Sequence, residues 1–150
     1  MVLDDDAVLI LIDVQQGFSD PSWGKRNNPD APGHAYHPVV ADVVPALEIT
    51  KSVHSAFLGT PDLHAWLGAR GARQLVVTGI QTNRCCETTA RLGGDLGYDV
   101  LFVLDATHTF EQVAPDGAVV TGDMFAAVTA ANIEGNFGRV VRTADLVSAG

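Results

Sequence analysis

Cysteine is nearly absent. The 150 residues hold two, Cys85 and Cys86, and they are neighbours. A disulfide between adjacent residues is strained, so no disulfide framework is available, and free thiols in a reducing cytoplasm are expected. Basic charge is also scarce. Nine Lys and Arg stand against 18 Asp and Glu, a formal net charge of −9. That balance argues against nucleic acid and anionic membranes as partners, because both select a basic surface. No apolar run approaches the length of a membrane span. The opening "MVLDDD" is acidic where an export signal is basic, so no export is expected. Repeats and low-complexity tracts are missing too.

What is present is ordinary globular composition, 47% hydrophobic and 18% charged. The length suits a single domain over 1–150 with a sizeable core. Five short apolar runs without alternation read as buried parallel strands. They are "AVLILID" (7–13), "ALEIT" (46–50), "QLVVTG" (74–79), "DVLFVLD" (99–105) and "RVVRT" (139–143). Helices are expected over 61–69, capped by Thr60 with Pro61 in the first turn, over 84–96, and over 122–135. Strands alternating with helices predict an α/β fold, a parallel sheet flanked by helices on both faces with right-handed crossovers.

One stretch resists this pattern. Between Asp13 and Ala46 lie 32 residues with Pro21, Pro29, Pro32, Pro38 and Pro45 and with Gly17, Gly24 and Gly33. That is loop chemistry. Its "VVADVV" (39–44) is too short to be the crossover helix that parallel neighbours need.

The reactive groups fall at strand ends. Asp13 closes the first strand, Lys51 follows the second, and the two cysteines follow the third. Ligands of open parallel sheets bind beyond the carboxyl ends of the strands. Helix geometry separates the thiols. Cys86, Ala90, Gly93 and Gly97 form one small-residue stripe at three- and four-residue spacing, suited to close packing on the sheet. Cys85 is turned about 100° away, near the positive end of the helix dipole, which favours a thiolate. A nearby ammonium favours it further. An adjacent carboxylate can accept the proton and return it to a leaving amine.

With these residues in place, the chain resembles the isochorismatase-like cysteine hydrolases, which include nicotinamidases and N-carbamoylsarcosine amidohydrolase. The likeness runs through "LILIDVQQGF" (9–18), "ITKSVHSAFLGTPDLHAWL" (49–67) and "LVVTGIQTNRCCETTARLGGDLGYDVLFVLDA" (75–106). It implies Asp13, Lys51 and Cys85 as the catalytic triad, with Thr82, Cys86, Thr89 and Ala90 fitting the third motif. It also implies an oxyanion hole from the backbone N–H groups of Gln81 and Cys85, and a cis peptide between Ile80 and Gln81. The implied activity is hydrolysis of a small C–N amide-type substrate through a thioester, with no cofactor and commonly in a homo-oligomer.

The chain departs from that family in length. A helix–strand unit after the first strand is missing, with the join near "NNPDAPGHAYHP" (28–38); such a unit with its neighbours takes about 30 residues. Three readings follow. The second strand slides across to pair with the first, the first strand keeps an unpaired edge, or residues are missing from the chain as given. The shortening also motivates a non-catalytic, binding role as an alternative. A vinyl-ether hydrolysis of the isochorismatase type is a second alternative, against which Cys85 argues.

Other candidates carry blander readings. Phe18, Trp23 and Tyr36 could wall a substrate pocket or fill the core of their own loop. His34 and His37 have a spacing compatible with a metal, but two histidines without a third ligand are weak support, and no metal is expected. His54 or His108 could form a Cys–His couple in place of the Asp–Lys pair. His64 and Trp66 read as surface and packing residues.

Overall fold

The computed structural model describes residues 3–19 and 35–147. Trp23, His34 and most of the expected join lie outside the described residues. The chain divides into two compact units, one of Met1–Ile12 with Ile49–Gly150 and one of Asp13–Glu48.

The larger unit contains β1 (Val8–Ile12), α1 (Leu63–Arg70), β2 (Gln74–Ile80), α2 (Glu87–Asp95), β3 (Asp99–His108), β4 (Gln112–Val113), β5 (Val119–Val120), α3 (Gly122–Ile133), β6 (Arg139–Val141) and α4 (Thr143–Val147). Its main sheet has the order β1-β2-β3-β6, every pair parallel. β4 and β5 form a separate antiparallel hairpin. Four of the five expected strands are present, and the sheet is flanked by helices.

The fifth is not a strand. Residues 46–50 make no ladder, and Thr50 forms only an isolated antiparallel bridge with Thr60. Thr50 and Thr60 exchange both backbone hydrogen bonds, at 2.9 and 2.8 Å, so the chain from 49 to 60 brackets back on itself. That bracket also corrects the expected helix cap. Thr60 is committed to the bridge and to a cis bond with Pro61. The helix α1 therefore starts later, capped by Asp62, whose carboxylate accepts from the Ala65 N–H at 2.9 Å. Gly71 ends it in the left-handed region at φ 68°, where a residue without Cβ carries no penalty.

Successive strand residues face opposite sides. On one side, α2 lies close because Gly93 leaves room for Leu75, Val100 and Phe57. On the other, Val76, Leu101, Val103 and Val141 form a buried cluster against Leu146 of α4. Cys86, just ahead of α2, and Ala90 within it are fully buried, as their stripe predicts. Gly97 is not part of that packing. It sits at φ 88° with open space around it, past the end of the helix.

The first residues of three strands are tied together. Gln74 donates to Asp99 Oδ2 at 2.8 Å, and Arg139 donates to the same oxygen at 2.6 Å. This network stitches the amino ends of β2, β3 and β6. At the other end, Ile12 pairs with Gly79. Gly79 has φ 119°, and a Cβ there would collide with the Ile12 backbone. Only glycine lets the two strands close at the point where Asp13 and Gln81 leave them.

The described residues of the smaller unit form turns and one bridge. Gln15 and Tyr36 form an antiparallel bridge, and His37 N–H donates to Val14 O at 2.9 Å. Short 3-10 turns occupy Gln16–Ser19 and Pro38–Val40. The second turn is capped by His37, whose Nδ1 accepts from the Val39 N–H.

Candidate active site

Two segments of the larger unit converge on one sulfur. The first is the bracket after Thr50. Lys51 Nζ donates to Cys85 Sγ at 3.6 Å. His54, three residues on, places Nδ1 at 3.8 Å from the same sulfur. This bracket is anchored. The Ser55 hydroxyl accepts from the Phe57 N–H, closing a 3-10 turn over Ala56–Leu58. The Ala56 N–H donates to Thr89 Oγ1 at 3.0 Å. Because Thr89 is a buried residue of α2, the segment carrying Lys51 is fastened to the helix that follows Cys85.

The second segment is the turn between β2 and α2. The expected cis peptide is present at Ile80–Gln81. Thr82–Cys86 then form a wide π turn that runs into α2. Cys85 therefore lies just ahead of the α-helix, which begins at Glu87, rather than in the first turn of a helix over 84–96. The Gln81 carbonyl accepts from the N–H groups of Arg84 and Cys86 at 3.2 and 3.1 Å. Cys85 is half-buried and Cys86 buried, with the Cys86 thiol 3.9 Å from Thr78 O. The two thiols thus have different environments, one beside a cation and one in the core.

The turn is braced on its far side. Thr82 Oγ1 donates to Thr107 Oγ1 at 2.9 Å, and Thr109 Oγ1 donates to Asn83 Oδ1 at 2.6 Å. Arg84 donates to Gln112 Oε1 at 2.7 Å. Glu87 is buried and accepts from Thr129 at 2.6 Å, Asn132 at 3.0 Å and Arg91 at 3.1 Å, locking α2 to α3. Ser55 and Glu87 were not singled out from the sequence, and Thr89 was named only as fitting the third motif. The run "CCETTA" carried the signal for Glu87 and Thr89, since a hydroxyl four residues past Cys85 lies about one helical turn further on.

The remaining candidates are placed as follows. Asp13 is bonded to Ile12 at the end of β1 and opens the smaller unit. It adopts φ 48°, a left-handed conformation that aspartate tolerates better than most residues. Phe18 lies half-buried in the 3-10 turn of the smaller unit. Tyr36 is in that unit's bridge, where burial and then a hydrogen bond to the Glu48 carboxylate push its phenol up to about 12. His108 stacks edge to face on Phe110 at 4.8 Å. Of the two histidines proposed for a Cys–His couple, His54 is the one at the sulfur. Among the described residues, no group of three or more His, Cys, Asp or Glu could hold a metal ion.

The model of the isochorismatase domain matches residues 20–133. The chain belongs to the isochorismatase family. The crystal structure of a protein ascribed to that family as a hydrolase, from Chromobacterium violaceum, superposes with a TM-score of 0.85 at 32% identity, covering 97% of this chain and 94% of that one. The isochorismatase family protein YrdC of Bacillus subtilis is 26% identical over 182 aligned positions, 97% of each chain. Those positions outnumber the 150 residues here, so this relative carries residues that the present family member lacks. Ureidoacrylate amidohydrolase RutB of Caulobacter vibrioides is 36% identical over 145 positions, 86% of this chain. The chain spans 60% of that relative's length. Family membership makes hydrolysis the class of chemistry in which the sulfur and its cation are to be read.

Proposed function

We propose that this isochorismatase-family protein is a cysteine hydrolase that cleaves a small C–N amide-type substrate through a thioester. The observation that carries the reading is the 3.6 Å contact between the Lys51 ammonium and the Cys85 sulfur. An ammonium in contact with sulfur favours the thiolate, which is the nucleophilic form. Relatives named as amidohydrolases support the choice of a C–N bond. A sulfur nucleophile supports it over vinyl-ether hydrolysis.

In this mechanism, Asp13 takes the proton from Cys85, and Lys51 holds the resulting thiolate. The sulfur attacks the substrate carbonyl. The developing oxyanion accepts from the backbone N–H groups of Gln81 and Cys85; losing one such donor typically costs about 10²–10³ in rate. Asp13 then protonates the departing ammonia or amine, and water cleaves the thioester. Phe18, Trp23 and Tyr36 wall the substrate, and no metal or cofactor takes part. The protein works as a single domain in the cytoplasm and as a homo-oligomer. The exposed side chains of Leu9 and Leu11 on the edge strand β1 support association.

The test is hydrolysis of a panel of ureido acids, carbamoyl amino acids and nicotinamide. Cys85→Ala abolishes turnover, whereas Cys86→Ala leaves the chemical step in place. Equal loss in both variants would overturn the assignment of the nucleophile.

A further inference from the structure

The thioester route leaves one proton without an assigned carrier, and the structure offers a group for it. Lys51 and His54 both reach the Cys85 sulfur, at 3.6 and 3.8 Å. They are not chemically equivalent. A lysine ammonium has three donors and no acceptor, so it stabilises a thiolate but takes no proton. A neutral imidazole accepts a proton near neutral pH and releases it again. His54 is also exposed, which opens its ring to solvent. Its backbone is nevertheless held in place, because Ser55 caps the following turn and the Ala56 N–H is bonded to Thr89 of α2. An exposed ring on an anchored backbone, beside a reactive sulfur, is the arrangement that deprotonating an incoming water requires.

We propose that His54 is the general base of the second half-reaction, the hydrolysis of the Cys85 thioester. This rests on the thioester reading above. Water approaches the acyl carbon from the solvent side. As its oxygen bonds to that carbon, one proton passes to the His54 imidazole. The C–S bond breaks with its electron pair going to sulfur, which leaves as a thiolate beside Lys51. The imidazolium then returns its proton to the Cys85 sulfur 3.8 Å away, which restores the thiol from which the next turnover starts. The product keeps the second hydrogen as a carboxylic or carbamic acid. Asp13 remains the proton carrier of the first half-reaction, so the two halves use different bases.

The experiment uses the full chain and p-nitrophenyl acetate as the acylating probe, with the intact mass followed over time after mixing at equal concentrations. Wild type acquires an acetyl group on Cys85 and loses it. In His54→Gln, acetylation proceeds at a similar rate, and the acetyl-enzyme persists about 10²-fold longer, the lower end of the usual general-base contribution. In His54→Ala, added imidazole shortens that lifetime again, a rescue that a structural role would not give. Equal acetyl-enzyme lifetimes in wild type and His54→Gln would overturn the role of His54 alone. Failure to acetylate Cys85, or acetylation elsewhere, would overturn the thioester reading and this inference with it.

Discussion

At the scale of single residues, the site depends on charge placed beside sulfur. In the proposed mechanism Lys51, 3.6 Å from the Cys85 sulfur, holds the thiolate, whereas the Cys86 side chain is sealed in the core. Iodoacetamide is therefore expected to label Cys85 of the native protein near neutral pH and to spare Cys86. Lys51→Met keeps the side chain's length and removes the charge. Each pKa unit lost corresponds to about 1.4 kcal/mol, so alkylation of Cys85 should slow about tenfold or more when followed by peptide mass mapping. Unchanged kinetics in Lys51→Met would mean that the ammonium does not activate the sulfur. The two tyrosines give an independent check on local environment. Burial, then Glu48, raises Tyr36 to about 12, and burial, then Asp62, raises Tyr98. A folded-state value above the unfolded one means stability that is complete below the ordinary value of 10.0 and is lost as pH rises toward 12. The tyrosinate absorbance of the native protein should therefore rise at higher pH than that of the protein in urea, and alkali should destabilise Tyr36→Phe less than wild type.

At the scale of elements, the bracket over 50–60 and the helix α2 act as one clamp, joined by the hydrogen bond from Ala56 N–H to Thr89 Oγ1. Thr89→Val keeps the shape and removes the acceptor. A buried donor left without its partner costs about 1–3 kcal/mol, which urea denaturation would read as a lower midpoint with an unchanged slope. The rate of Cys85 alkylation should fall as well, because Lys51 rides on the loosened segment. Loss of stability with unaltered alkylation would show that the bracket holds Lys51 without this bond. The elements also show where sequence reasoning succeeded. Cys86, Ala90 and Gly93 could be assigned to the sheet side of α2 from spacing and size alone, and that left Cys85 as the thiol facing elsewhere. "ALEIT" misled because its apolar residues fit a strand while the partner that would make it one is a matter of tertiary pairing. Thr50 spends its backbone groups on Thr60 instead. The contact between His54 and Cys85 joins residues 31 positions apart, a distance that no local pattern encodes.

At the scale of the whole molecule, the shortened segment after Asp13 leaves its mark on the sheet. Among the described residues, β1 pairs on one side only, with β2. Leu9 pairs with Val76 in register, so its side chain shares the face of the buried cluster around Val76 and Leu101. Yet Leu9 and Leu11 are 57% and 42% exposed. Of the three readings of the short segment, the one in which the second strand slides across to pair with the first is not what the sheet shows, because Thr50 bridges Thr60 and β1 pairs with β2 among the described residues. An apolar edge strand is a template for pairing with another chain. A second copy suits it electrostatically. The chain carries −9, so copies repel over most of their surfaces, whereas Val8–Ile12 contains no charge. Association through this strand should therefore strengthen as salt screens the net repulsion, the opposite of an interface held by ion pairs. Size-exclusion chromatography with light scattering should give a mass at least twice the 15.8 kDa of one chain, with the oligomer favoured at high salt. Leu11→Lys should shift it to the monomer, since gatekeeping charges on edge strands block pairing. A monomeric wild type, or an oligomer that Leu11→Lys leaves intact, would place the contact elsewhere than β1.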